Sequence, residues 1–358
     1  MQQRLPSEPT AHAQPWSGLP SEPEDTFPAR GLDELRRRGA FRAILPTAMG
    51  GAGWGTEAAG ARAVFDLLRG IGRANLALGR VFEGHLNAVR LVLLYGTPRQ
   101  AARAAAEAAD GLLFAIWDAE APDAPVRLAD GRLTGVKRFA SAAGFANRAL
   151  VTARLPDGDG SQLVLVPLAP GQGALGAPLS LLGMRGARTG EVRLDGVAAL
   201  PEALIGGPGD YMRQPEISLG AWRTLAVLLG GIDALVDALR HDLLGRRRDA
   251  DPHQRARFAQ VLVASETARL WVERGCALAE GEGADEDAAN YVKLARLAVE
   301  GAGLDALRLA QRSVGLAGFV APHPLERLAR DLGTYLRQPA LDIVAEEATT
   351  HFLRRELP

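Results

Sequence analysis

The sequence predicts an α+β protein whose helical and β segments are segregated along the chain. Apolar residues follow a 3.6-residue period from about 31 to 110, alternate with period two from 111 to 205, and return to the helical period from 206 to 358. No strand–helix alternation of the kind that builds a parallel sheet appears. The chain therefore divides into a Pro-rich tail (1–30), an N-terminal helical domain (31–110), a central β domain (111–205) and a C-terminal helical domain (206–358).

The tail carries LPSEP twice, at 5–9 and 19–23, in a Pro/Ser/Glu background, and is expected to be disordered, with a partner-binding segment as the alternative. GLDELRRRGAF, 58–70, 76–95 and 98–109 read as helices, and the Gly-rich ILPTAMGGAGWG between the first two must be a loop. The β block consists of LLFAIWDAE, GRLTGVKRFA, RALVTARL, SQLVLVPL and TGEVRLDGV, separated by DG, GDG and PG turn signals. Long helices follow at 219–244, 254–279 and 285–315, and shorter ones at 325–335 and 341–353 flank Pro339. Proline inside a helix costs about 3 kcal/mol and pushes its predecessor out of the α region, so the helical pattern should break near Gln338.

Composition excludes several functions. The 358 residues are 47% hydrophobic and 23% charged with net charge −1, so nothing favours nucleic acid or an anionic membrane. Of 41 basic residues only Lys137 and Lys293 are lysine, and the Ala/Gly/Arg-rich usage suits a GC-rich bacterial genome. Cys276 is the single cysteine, which excludes an intrachain disulfide and fits a reducing cytoplasm; its apolar helical setting reads as a buried structural thiol. The N-terminus has no apolar signal-peptide core, and the longest apolar run, near 225–232, is too short to cross a bilayer. The six histidines lack metal-ligand spacing, so no metal site is expected. GQGALG at 171–176 matches G-x-G-x-x-G, but APLS follows it instead of a helix N-terminus, so no dipole awaits a pyrophosphate.

Four stretches carry more information. GLDELRRRGAFRAILPTAMGGAGWG, GVKRFASAAGFANRALVTARL, LGMRGARTGEVRLDGVAAL and GLAGFVAPHPLERLARD resemble, in order, segments of the acyl-CoA dehydrogenase superfamily. The resemblance spans about 31–358 and implies an N-terminal helical domain, a central β-barrel-like domain and a C-terminal four-helix bundle. It also implies FAD between β domain and bundle, completed by a neighbouring subunit in a homodimer or homotetramer.

Residue by residue, the resemblance gives a flavin site. Phe139 matches the aromatic that packs on the isoalloxazine ring, ordinary β-domain core being the alternative, and Ser141 the hydroxyl residue that reaches toward N5. The strand from Ile116 to Ala119 would meet the pyrimidine edge, with Ala119 replacing the usual hydroxyl residue. Arg248 matches the arginine that contacts FAD phosphate from the neighbouring subunit, though three arginines ending a helix also suit its C-terminal dipole. Gln311 or Arg312 would supply the last dinucleotide contact.

The same resemblance places Pro339 where the family keeps its catalytic glutamate, and Trp222, just before Arg223 at the substrate pocket, where some members keep an alternative base. Proline has neither carboxylate nor N–H, so a general base and an oxyanion donor are both missing. The segment EAPDAPVRLADG also lacks the Gly-Ser-Asp run that touches acyl-CoA. Three functions follow. The first is an FAD-dependent oxidoreductase with a non-standard base, for which Asp118 and Asp342 are the candidates. The second is a monooxygenase of the same fold that takes reduced flavin from a partner reductase and does not need the missing glutamate. The third is a non-catalytic flavin-binding paralogue. An electron-transfer partner would serve the first.

Overall fold

A computed structural model describes residues 16, 18–20, 22–156, 160–169 and 178–358. The order of elements is the segregated one. Among the described residues, five α-helices, α1 (Ala29–Arg37), α2 (Ala40–Ala43), α3 (Ala61–Ala74), α4 (Leu76–Tyr95) and α5 (Pro98–Ala109), precede nine strands. The strands are β1 (Phe114–Trp117), β2 (Arg127–Ala129), β3 (Arg132–Thr134), β4 (Val136–Ala140), β5 (Arg148–Arg154), β6 (Ser161–Pro167), β7 (Gly190–Arg193), β8 (Val197–Ala198) and β9 (Leu204–Ile205). Six helices close the chain: α6 (Glu216–Leu219), α7 (Trp222–Gly245), α8 (Pro252–Ala279), α9 (Glu286–Val314), α10 (Pro324–Tyr335) and α11 (Leu341–Phe352).

Local chemistry sets the helix ends. Asn75 caps α4 by accepting from Leu78 N, and Thr97 forms a capping box with Gln100 ahead of Pro98 at the start of α5. Asp251 and Asp285 cap α8 and α9 in the same way. The chain leaves the helix after Tyr335 and re-enters it at Leu341, with Ala340 left-handed at φ 58°, so Pro339 lies in the expected break.

Strands β8-β3-β2-β5-β6-β9 form one sheet, to which β1 adds by pairing in parallel with β5, while β4 and β7 form a separate ribbon. The stretch GRLTGVKRFA therefore splits into β3 and β4. Gly135 makes the corner: its φ is +115°, and a Cβ there would meet the Pro125 carbonyl oxygen at 2.5 Å. The α-helical domains dock through α3 and α7, which approach so closely that a Cβ on Gly72 or Gly230 would meet backbone oxygen at 2.1 Å. Arg69 and Asp233 add a two-toothed ion pair across that contact.

The N-terminal segment departs from the expected disordered tail. Residues 1–15, 17 and 21 of it, with the first LPSEP copy, lie outside the described residues, as does GQGALG. The remainder packs down: Trp16 stands edge-on to Trp54 with ring centroids 6.2 Å apart, and Phe27 stacks on Phe145 at 4.0 Å. Glu22 accepts from Gly31 N, and Glu24 pairs with Arg330 of α10. Three apolar anchors in a Pro-rich background overcome the low-complexity signal, because each buries an aromatic or aliphatic side chain against a preformed surface.

The combined span Glu216–Gly245 is long and apolar enough to cross a membrane, beyond the short run the sequence shows, but 78% of its most apolar stretch is buried inside the protein. It is the central helix of the bundle, lying against α3, α8, α9 and α10. Cys276 is buried; its thiol donates to Ala61 O, and burial pushes its pKa up to about 12, which keeps it an inert thiol.

Candidate functional site

A cavity of about 690 Å³ opens between α4, the edges of β1 and β4, the start of α7 and the break before α11. One wall is aromatic and hydroxylic. Phe139 lies in an irregular stretch of β4, where the register with β7 shifts between Lys137 and Ala140, and its backbone is left-handed at φ 53°. A bulky residue in that region costs about 1–3 kcal/mol, and the result is a ring 53% exposed on the cavity wall. Just after it, buried Ser141 places Oγ 3.3 Å from Thr189 Oγ1 and accepts from Arg80 Nε at 3.3 Å. Its carbonyl accepts from Trp117 Nε1 at 2.9 Å, which fixes the turn.

The neighbouring edge holds Ile116, Asp118 and Ala119. Asp118 Oδ1 accepts from Thr152 Oγ1 at 2.9 Å, and its carbonyl accepts from the fully buried Lys137 Nζ at 2.8 Å. Burial lowers the Lys137 pKa, opposed by Glu120 and Asp118. Lys137 thus ties the end of β1 to β4 and β5.

The opposite wall is charged. Helix α4 presents Arg80, Glu83, Asn87 and Arg90, and Glu83 accepts from Arg80, Asn87 and Thr224 Oγ1. Behind them Glu280, at the end of α8, accepts from Trp222 Nε1 at 2.9 Å and from Arg223 through the same oxygen, while its other oxygen accepts from Arg90 at 3.2 Å. The Arg223 cation and burial pull the Arg90 pKa down to about 10. Burial raises the hydroxyl pKa of Tyr211 and Tyr335, so both reach the cavity as neutral phenols. Pro339 closes this side, its carbonyl accepting from Arg296 Nη2 at 2.6 Å.

No family model matches the chain. A dibenzothiophene monooxygenase of Mycolicibacterium goodii is 25% identical over 287 residues, 74% of this chain and 67% of that protein. The FMN-bound dibenzothiophene monooxygenase of Paenibacillus sp. A11-2 superposes with a TM-score of 0.79 at 20% identity, over 93% of this chain and 92% of its own. Butyryl-CoA dehydrogenase of Megasphaera elsdenii superposes with a TM-score of 0.78 at 18% identity, over 92% and 91%. The chain has the acyl-CoA dehydrogenase fold.

Within that acyl-CoA dehydrogenase fold, Ile116, Asp118, Ala119, Phe139, Ser141, Arg223 and Pro339 all line the one cavity. Phe139 is exposed there instead of filling the β-domain core. Two expectations need correction. Trp222 is fully buried and does not line the cavity, because its indole turns back to Glu280. Asp342, expected to supply a carboxylate, is exposed on the first turn of α11 and away from the cavity wall, since Ala340 redirects the chain before the helix starts. Arg248, expected to reach the cofactor of a neighbouring subunit, lies outside this chain's own cavity and donates to Ser313 O at 3.0 Å, beside Gln311 and Arg312 at the end of α9.

Sequence reasoning missed the α4 wall. Arg80, Glu83, Asn87 and Arg90 recur at helical spacing in a helix otherwise buried almost throughout. A polar stripe inside an apolar helix was the available signal. Glu280 had none, because only tertiary packing brings it to Trp222. Among the described residues no group of three or more His, Cys, Asp or Glu could hold a metal ion.

Proposed function

We propose that this protein is a flavin-dependent monooxygenase that oxidises a small organic molecule with reduced flavin supplied by a partner reductase. Its residues fit a flavin. The left-handed backbone at Phe139 holds an exposed ring where the isoalloxazine would pack, and the Ser141–Thr189 hydroxyls lie beside it. The backbone from Ile116 to Ala119 would meet the pyrimidine edge, tied down by Lys137. Bound flavin would supply two electrons to O₂, one oxygen atom going to substrate and the other to water. FMN would be held within the cavity of one chain. FAD would reach further, and then Arg248, Gln311 and Arg312 would contact the dinucleotide of a neighbouring chain in a homodimer or homotetramer.

The observation that carries this reading is the state of the two positions that the sequence resemblance matches to a dehydrogenase base. One is Pro339, without a carboxylate; the other is Trp222, sealed against Glu280. Of the three carboxylates that line the cavity, Glu83 and Asp118 are occupied by hydrogen bonds, and Glu216 is the third. Chemistry at flavin that consumes oxygen does not require that base. The relatives support the same direction: a dibenzothiophene monooxygenase is similar in sequence, and a structural neighbour carries FMN and indole.

The competing dehydrogenase reading has one foothold. Glu216 lines the cavity beside Arg90 and Tyr95, and its buried Oε2 has no hydrogen-bond partner among the described residues. The test supplies the purified protein with a flavin reductase, NADH, FMN or FAD, and indole as probe in air. Substrate-dependent oxygenated product that survives Glu216→Gln supports the monooxygenase. Flavin binding with no oxygenated product supports the non-catalytic flavin-binding paralogue, and absence of any flavin affinity in either redox state refutes the monooxygenase.

A further inference from the structure

Among the described residues, the guanidinium groups of the cavity are matched with carboxylates, with one exception. Arg80 faces Glu83, Arg90 and Arg223 share Glu280, and Arg337 pairs with Glu300 at 2.8 Å. Arg296 projects from α9 beside Thr334, Gln338 and Pro339, and its hydrogen bond goes to the Pro339 carbonyl, a neutral acceptor. That contact occupies one of five N–H donors. Arg296 is half-buried, and an anion in the cavity would give its cation the charged partner that the neutral Pro339 carbonyl does not, through a charge-assisted, two-toothed contact.

We propose that Arg296 is an anion-binding residue of this cavity, reading a carboxylate-, sulfonate- or phosphate-type group beside Pro339. Burial lowers the Arg296 pKa with no acidic neighbour opposing it, in contrast to Arg90, where Glu280 and Glu216 push the other way. The carbonyl of Pro339 orients the guanidinium, so the proline that removes a carboxylate from this wall also helps hold a cation there. The sign of the wall is thereby reversed relative to an acidic base at the same place. The anion can come from the substrate or from the 5′-phosphate of FMN, and the two sources are separable.

The test titrates the flavin-free protein with benzoate and with its neutral analogue benzamide, and separately with FMN and riboflavin, in the wild type, Arg296→Gln and Arg296→Lys. Calorimetry or flavin fluorescence gives the affinities. A charge-assisted pair to arginine predicts a preference of at least about tenfold for the charged ligand, lost in Arg296→Gln and partly kept in Arg296→Lys. Loss of the benzoate preference assigns the site to a substrate anion. Loss of the FMN-over-riboflavin preference assigns it to the flavin phosphate. If Arg296→Gln, still folded by circular dichroism, changes neither preference, the proposal is wrong. A benzoate preference without any flavin binding would sustain this site while removing the monooxygenase reading.

Discussion

Trp222 Nε1 and the Arg223 guanidinium donate to the same oxygen of Glu280, so an indole and a cation from α7 are locked to a carboxylate from the end of α8. All three side chains are buried, and the second Glu280 oxygen holds Arg90. Removing the shared partner strands two cations. Glu280→Ala should therefore cost about 3–5 kcal/mol of stability, whereas Trp222→Phe, which deletes one donor, should cost about 1 kcal/mol. Urea unfolding of the two variants measures the difference; equal effects would mean the carboxylate is not the hub.

Phe139 has a left-handed backbone and an exposed ring on the cavity wall, a combination that stability alone does not explain. Phe139→Ala should leave the unfolding free energy within about 0.5 kcal/mol of wild type, because little burial is lost. Flavin affinity should fall about threefold to tenfold, the worth of one aromatic stacking contact. Fluorescence titration with FMN or FAD reads it. A variant that unfolds easily while binding flavin normally would make Phe139 structural.

His85 is fully buried among Phe41, Phe82 and Phe114, and its Nδ1 accepts from Phe114 N at 3.1 Å. Burial, with a smaller push from Arg36, drives its pKa down to about 3. The unfolded chain takes up this proton near pH 6.5 and the folded chain does not, so stability should fall as pH drops from about 6.5 toward 3, by about 1.4 kcal/mol per pH unit from this one group. His85→Gln keeps an acceptor for Phe114 N but cannot titrate, and should flatten that part of the acid slope. Chemical unfolding at pH 7 and pH 5 for both proteins compares the slopes.

Much of this architecture was legible in the sequence because helical spacing and caps are local. The 76–95 and 98–109 helices have the ends expected of them, and the break at Pro339 follows from the missing N–H. The split at Gly135 was not legible, since a continuous alternating stretch hides a corner that depends on the distant Pro125 carbonyl. The N-terminal strap was read from composition, which weighs its prolines and glutamates above Trp16, Leu19 and Phe27, the side chains that anchor it. In the site, residues on one strand or turn, such as Phe139 and Ser141, could be placed from a motif. Glu280 and Arg296 could not, because their roles arise where separate helices meet.

The central claim is that this cavity does not abstract a proton from a thioester substrate. Anaerobic titration of the flavin-loaded protein with butyryl-CoA, followed by the long-wavelength absorbance of the oxidised flavin, tests it most directly. The flavin spectrum should stay unchanged at every concentration, in wild type and Glu216→Gln alike. Stoichiometric bleaching of the wild-type flavin, abolished by Glu216→Gln, would contradict it and return the protein to thioester oxidation with Glu216 as base.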